Sequence, residues 1–175
     1  YPGKKVTTGP RQVTISLLDP TAVSSVQIGS SKHPLAADFT GPIEDVARGV
    51  KEASVALMGV FKPHSQDCEL NLLDPYDPKR IPVVFVHGLN SHPRMWRDVY
   101  NELRADPELR GKYQFWSYRY PTGWPIIYSA MRLREEMAAF DKLMGHQSRI
   151  VMIGHSMGGL VSRLQMISPE REIWD

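Results

Sequence analysis

The sequence predicts an α/β fold in which a mostly parallel sheet is flanked by helices. Two short runs, Pro82–Val86 and Arg149–Ile153, are almost wholly apolar and rich in β-branched residues. This pattern is typical of strands that are covered on both faces, as in a parallel sheet. Because segments with helical periodicity alternate with these strands, we expect right-handed crossovers that place helices against the sheet.

The intervening and following segments supply the other elements of this alternation. The aromatic-rich segment Tyr113–Tyr120 predicts a third strand, and helical spacing predicts a helix over Met95–Leu103. A longer helix is predicted over Pro125–Met144, because its apolar residues recur at steps of three and four and Gly145 follows as a C-cap. After the second apolar run, a last helix is indicated by Leu160, Val161, Leu164 and Ile167.

The chain is predicted to divide into an N-terminal extension with edge strands and one helix, residues 1–80, and the N-terminal part of a larger α/β core, residues 81–175. Within the extension, the pattern predicts an edge strand over Arg11–Leu18, a loop over Thr21–Pro34, a helix over Pro42–Phe61 and a short strand over Glu69–Leu73. With 175 residues and 42% hydrophobic content, the chain is in the size range of one globular domain.

The composition argues against several classes of partner. A formal net charge of +2, from 21 basic and 19 acidic residues mixed along the chain, gives no patch that would bind nucleic acid. No apolar run approaches the roughly 20 residues that span a bilayer, so no transmembrane segment is expected. We expect neither metal nor cofactor, since no His, Asp and Glu cluster has zinc-like spacing. The single cysteine, Cys68, cannot form an internal disulfide and is predicted to be a buried structural thiol.

The segment Gly154-His155-Ser156-Met157-Gly158, which we call the elbow, has the pattern Gly-x-Ser-x-Gly. It lies directly between an apolar strand and an amphipathic helix, which is the setting of a nucleophile elbow. Side chains two residues either side of the serine would collide as strand and helix approach, so Gly154 and Gly158 give the necessary room and Gly159 adds more. Ser156 is therefore the predicted nucleophile for attack on an acyl carbon.

Attack on an ester carbonyl builds negative charge on oxygen, which fixed donors must meet. The backbone N–H of Met157, in the first turn of the following helix, is one predicted donor. The second is expected from His87-Gly88-Leu89-Asn90, here called the oxyanion loop, which follows the first apolar strand. The N–H of Leu89 is the candidate, because Gly88 allows the backbone to turn inward.

Val-Phe-Val-His-Gly, followed later by Gly-His-Ser-Met-Gly-Gly, resembles the α/β-hydrolase family in its bacterial lipase-like branch. The resemblance covers roughly Ile81 to Ile167. It implies a carboxylic-ester hydrolase, either esterase or lipase, with Ser156 as nucleophile and Leu89 and Met157 as oxyanion donors. His87 and His155 are expected to brace the oxyanion loop and the elbow.

The chain departs from this family in one respect, the position of its histidines. The family places the triad acid and then the histidine after the nucleophile, whereas every histidine here precedes or adjoins Ser156. The six are His33, His64, His87, His92, His146 and His155. We therefore expect the acid and the base to lie outside this chain, in a missing segment or a second chain, because the sheet would otherwise keep an exposed apolar edge. The alternative is a divergent protein without a triad.

Other readings of the site stay open at this stage. Trp96 and Trp124 are candidates for an acyl pocket near the carboxyl ends of the strands, with helix-to-sheet packing as the alternative. The same elbow also serves acyltransferases and peptidases, and a non-catalytic domain could retain it as a structural turn.

Overall fold

The structure, a computed structural model, describes residues 14–48, 68–145 and 149–167. The chain forms two compact units, Tyr1–Ala37 and Asp38–Asp175. None of the helices in the described ranges is long and apolar enough to cross a membrane.

The first unit contains an antiparallel hairpin of β1 (Ser25–Ile28) and β2 (Ser31–Pro34). Gly29 and Ser30 form its turn, and Gly29 has a φ of 59°, as a glycine in the first central position of a type II′ turn does. The predicted loop over Thr21–Pro34 is therefore wrong from Ser25 onward. The Gly-Ser pair was the local signal for the hairpin.

The edge strand predicted over Arg11–Leu18 is absent from its described part, residues 14–18. Ile15 and Leu17 are 91% and 100% exposed, so no neighbouring surface covers the alternating apolar side chains. An alternating pattern needs a sheet face to bury it, and the described residues provide none next to residues 14–18. The start of the predicted strand, residues 11–13, lies outside the described residues.

The second unit consists of a sheet with helices on both faces. Its described strands are β3 (Glu69–Leu72), β4 (Ile81–Val86), β5 (Tyr113–Arg119) and β6 (Val151–Gly154), and its described helices are α1 (Gly41–Arg48), a 3-10 helix (Pro93–Trp96), α2 (Arg97–Ala105), α3 (Pro107–Lys112), α4 (Ile126–Met144) and α5 (Met157–Arg163). The strand order is β3-β5-β4-β6. β4 is parallel to β5 and β6, and β3 is antiparallel to β5. The predicted α/β fold with a mostly parallel sheet is confirmed.

Most helix ends follow from local sequence. α4 ends at Gly145, whose φ of 92° only glycine adopts readily. α3 was not predicted, although Asp106 caps it by accepting hydrogen bonds from two N–H groups of its first turn, and Pro107 is its first residue. α1 begins close to the predicted start, and the predicted continuation to Phe61 lies outside the described residues.

The core has two layers, one on each face of β4. Val84 and Val86 pack with residues of α4 and α5, whereas Val83 and Phe85 pack with residues of the 3-10 helix, α1 and α2. β4 is thus buried on both sides, as its continuous apolar sequence predicts. Its last residue, Val86, pairs with Gly154 at the end of β6, so the two strands finish level.

β3 lies within residues 1–80, yet it pairs with β5, so strand pairing crosses residue 80. The division of the chain into 1–80 and 81–175 stays a prediction about domains.

Candidate active site

The elbow forms a tight turn between β6 and α5. Ser156 has φ 53° and ψ −122°, a backbone conformation that costs a non-glycine residue about 1–3 kcal/mol. The turn is fixed on both sides of the serine: the His155 N–H donates to the Val86 carbonyl at 3.0 Å, and the Gly159 N–H donates to the Ser156 carbonyl at 2.9 Å. The Ser156 side chain itself is exposed.

The elbow glycines are required by backbone contacts. A Cβ on Gly154 would lie 2.5 Å from the Gly158 carbonyl oxygen, and one on Gly158 would lie 2.2 Å from the Val86 carbonyl oxygen. Neither neighbour is a flexible side chain, so neither can move aside. A Cβ on Gly159 would meet its nearest atom only at 3.8 Å, so the room predicted at that position is not needed.

The oxyanion loop lies against the elbow. A Cβ on Gly88 would be 2.9 Å from His155 Nδ1 and 3.1 Å from the Cβ of Ser156. Leu89 follows at once, with its side chain 64% exposed. The structure therefore brings the two predicted loops together. The donor roles of Leu89 and Met157 stay predictions; Met157 is the first residue of α5, so its N–H has no intrahelical acceptor.

His87 directly follows β4 and has a neutral, enclosed ring. Its side chain is 1% exposed, and burial lowers the pKa of His87 to about 4. The ring Nδ1 lies 3.2 Å from the Gly88 carbonyl oxygen, and Nε2 is buried without a partner among the described residues. The ring stacks on Tyr120 with centroids 4.4 Å apart. These contacts suit a residue that braces the oxyanion loop.

The other histidines in the described ranges do not serve Ser156. His92 caps the 3-10 helix, with Nδ1 accepting from the Arg94 N–H at 3.3 Å. His155 is exposed beside the serine, and His33 lies on β2. Across residues 14–48, 68–145 and 149–167, no hydrogen bond reaches the Ser156 hydroxyl. His64 and His146 lie outside these ranges.

The two candidate pocket tryptophans are buried in the core. Trp96 stacks on Phe85 with ring centroids 5.3 Å apart, and Trp124 meets Tyr128 edge-on at 4.9 Å. They pack on opposite faces of the sheet. Helix-to-sheet packing therefore accounts for both side chains, and a role in an acyl pocket stays a prediction.

Cys68 lies in the core beside the sheet, where burial raises the pKa of its thiol. Within the described ranges, no group of three or more His, Cys, Asp or Glu side chains is arranged to hold a metal ion.

Sequence reasoning missed two polar contacts of the oxyanion loop. Tyr120, the residue after β5, donates its hydroxyl hydrogen to the His87 carbonyl at 2.6 Å. The Asn90 N–H donates to Thr122 Oγ1 at 3.1 Å, and Asn90 has a φ of 51°. Asparagine tolerates this left-handed conformation better than most residues. An asparagine after Gly88-Leu89 was therefore the available sequence signal for a sharp turn of the loop at this position.

A sequence model of the alpha/beta hydrolase family matches residues 83–170, half of the chain, from β4 through the elbow and α5. The chain belongs to the α/β-hydrolase family. The predicted resemblance is thereby confirmed, and hydrolysis is the general activity that membership indicates. The bacterial branch and the truncation stay predictions. No curated protein and no solved structure shows a significant match to the chain.

Proposed function

We propose that this chain carries the nucleophile and the oxyanion hole of a carboxylic-ester hydrolase, either an esterase or a lipase. The observation that carries the proposal is the backbone of Ser156, held at φ 53° in a turn that only glycines at 154 and 158 can close. Strain of this kind persists where surrounding structure enforces it, and it clusters at functional sites. It presents an exposed hydroxyl beside the oxyanion loop.

In the proposed mechanism, Ser156 Oγ attacks the ester carbonyl carbon and a C–O bond forms. The carbonyl oxygen becomes an oxyanion and accepts hydrogen bonds from the N–H groups of Met157 and Leu89. The serine proton passes to a histidine oriented by a carboxylate. As the oxyanion collapses back to a carbonyl, the C–O bond to the alcohol breaks and the histidine gives its proton to the leaving oxygen. Water cleaves the acyl-enzyme by the same route. Because no described histidine forms a hydrogen bond with the Ser156 hydroxyl, the base and the acid are proposed to come from outside this chain.

The outer edge of β6 supports the proposal of a further part of the fold. Among the described residues β6 pairs only with β4, and Val151 is 40% exposed. An apolar groove of about 220 Å³ lies along one face of β6. A second groove of about 410 Å³, with both apolar and polar lining, lies along the other face, between α4 and α5. Natural proteins seldom leave an apolar strand edge uncovered. We propose that another parallel strand with its helix covers this edge and leads to the acid and the base.

Intact mass of the natural protein tests this part of the proposal. We expect a polypeptide well above 19.8 kDa, or a tightly bound second chain. A mass near 19.8 kDa with no partner polypeptide would overturn it.

Activity is tested on the complete natural protein with a fluorophosphonate probe and with nitrophenyl esters of graded acyl length. We expect covalent labelling at Ser156 and ester hydrolysis, both abolished by Ser156→Ala and both retained by Ser31→Ala, which alters an exposed hairpin serine. Preference for long acyl chains would indicate a lipase and for short chains an esterase. Cleavage of peptide amides in place of esters, or no labelling, would contradict ester hydrolysis.

A further inference from the structure

Two side chains that follow β5 form hydrogen bonds with the backbone of the oxyanion loop. Tyr120 donates to the His87 carbonyl at 2.6 Å, and Thr122 Oγ1 accepts from the Asn90 N–H at 3.1 Å. Both side chains are buried, so neither hydrogen bond competes with bulk water. Together they tie the loop after β4 to the loop after β5.

The two bonds bracket the peptide that matters for catalysis. The His87 carbonyl belongs to the peptide before Gly88, and the Asn90 N–H belongs to the peptide after Leu89. The Leu89 N–H lies in the single peptide between them. Fixing both neighbouring peptide planes leaves that N–H little freedom to turn away.

Gly88 makes such restraint necessary. Glycine is favoured there because a Cβ would lie 3.0 Å from the His155 carbonyl oxygen and 3.1 Å from the Cβ of Ser156, besides 2.9 Å from His155 Nδ1. A glycine also brings the greatest backbone freedom of any residue, which would let the donor swing between orientations. Asn90 has a left-handed backbone, at φ 51°, which asparagine tolerates and which the hydrogen bond from its N–H to Thr122 Oγ1 holds in place.

We propose that Tyr120 and Thr122 are positioning residues that hold the Leu89 N–H as an oxyanion donor. The inference rests on the proposed ester hydrolysis and assigns these two side chains a part in it. Burial also raises the pKa of the Tyr120 hydroxyl, which keeps it a hydrogen-bond donor over the working pH range. Stacking of the Tyr120 ring on His87 fixes the direction of that hydroxyl.

The test uses the full-length enzyme with Tyr120→Phe, which keeps the ring, and Thr122→Val, which keeps the shape. We expect kcat for nitrophenyl esters to fall about 10-fold to 100-fold in each, with KM changed by less than about 2-fold, as for a small misplacement of a catalytic group. Thr122→Ser keeps the acceptor oxygen and is expected to restore most of the loss. The matched control is Tyr118→Phe, which removes a buried hydroxyl that donates to the Ser129 carbonyl at 2.9 Å.

A trifluoromethyl ketone separates positioning from general loosening of the fold. It adds to the serine and leaves an oxyanion in the hole, so its inhibition constant should rise by the same factor as kcat/KM falls across the variants. Thermal unfolding of Tyr120→Phe and Tyr118→Phe should shift alike, while only the former loses turnover. The Thr122 pair decides the question if Tyr120→Phe does not fold.

Three results would count against the inference. Losses no greater than that of Tyr118→Phe, or losses confined to KM with an unchanged ketone constant, would overturn it while leaving ester hydrolysis intact. A wild-type enzyme without Ser156-dependent hydrolysis would overturn the proposed function, and this assignment with it.

Discussion

The two ends of the central strands are built differently. At the amino end of β4 and β5, the buried Asp74 accepts from Arg104 at 2.7 Å and from the Phe115 N–H at 3.0 Å. The Gln114 amide there bonds the backbone of Asp77 in both directions. At the carboxyl end, by contrast, Ser156 is strained and a ring nitrogen of His87 is buried without a described partner.

The two ends of the same sheet are therefore expected to contribute differently, the amino end to stability and the carboxyl end to the proposed activity. Fully satisfied polar groups lock a loop into one arrangement, as at the amino end. Retained strain and unsatisfied groups lower stability and persist where they position reacting atoms. The amino end is thus where substitutions should act on folding alone, and the carboxyl end is where stability and activity should oppose each other.

The largest expected effect comes from Gly158→Ala at the carboxyl end. The new Cβ would lie 2.2 Å from a backbone oxygen, so we expect a loss of more than about 5 kcal/mol in the free energy of unfolding, or no folded protein. Gly159→Ala, one residue on, is the control and should be neutral or stabilising by up to about 1 kcal/mol, because alanine favours the helix. Urea unfolding measures both. Equal effects at the two positions would remove the steric argument for the elbow.

Asp74→Asn tests the amino end. Arg104, whose side chain is 12% exposed, would lose its carboxylate partner, which should cost about 3–5 kcal/mol in urea unfolding. The control is Asp45→Asn, which breaks the exposed pair of Asp45 with Arg48 and should cost about 0.5 kcal/mol or less. For the folded fraction, the rate of ester hydrolysis should match that of the wild type. A fall in kcat per folded molecule would show that the two ends are not independent.

Acid sensitivity should arise at the carboxyl end. Burial lowers the pKa of His87 from 6.5 to about 4. Between these two pH values the histidine is mostly protonated in the unfolded chain and mostly neutral in the folded protein. The stability that this neutral ring contributes is complete above pH 6.5 and is lost as pH falls toward 4. Between pH 7 and pH 5, wild type should lose about 2 kcal/mol more than His87→Gln does. Parallel pH profiles of the two proteins would contradict this.

The smallest effect is expected from relieving the strain at Ser156. Ser156→Gly should raise the free energy of unfolding by about 1 kcal/mol, because glycine adopts a φ of 53° without strain. Ser156→Ala keeps the strained backbone and should not be stabilised. Both lose the hydroxyl of the proposed nucleophile, so only thermal or urea unfolding distinguishes them. No difference between them would indicate that the turn costs little.

The sequence was sufficient for elements whose pattern is decided locally. β4 is a continuous apolar run and β5 is rich in aromatic residues, as suits strands covered on both faces. The apolar residues of α4 recur at helical spacing, and the helix ends at a glycine cap. The hairpin and α3 were missed although Gly29 and Asp106 marked them, because turn and cap residues were given less weight than periodicity. The edge strand predicted over Arg11–Leu18 was wrong in its described part, because an alternating pattern alone does not provide a neighbouring strand to pair with.

The candidate site likewise contains features that local sequence predicts and features that it does not. The elbow could be predicted because its glycines and its serine are adjacent in the chain and their steric requirement is local. The contacts of Tyr120 and Thr122 could not, because each joins a side chain to backbone more than thirty residues away. Such pairs depend on how β4 and β5 are aligned, which no local pattern specifies.

The hydrogen bond from the His155 N–H to the Val86 carbonyl continues the β4–β6 ladder one residue past the last strand residue. The amide next to Ser156 should therefore exchange its hydrogen only when the sheet itself opens, rather than with the fast openings of a loop. On heating, activity should then be lost at the same temperature at which the sheet unfolds, and not at a lower temperature.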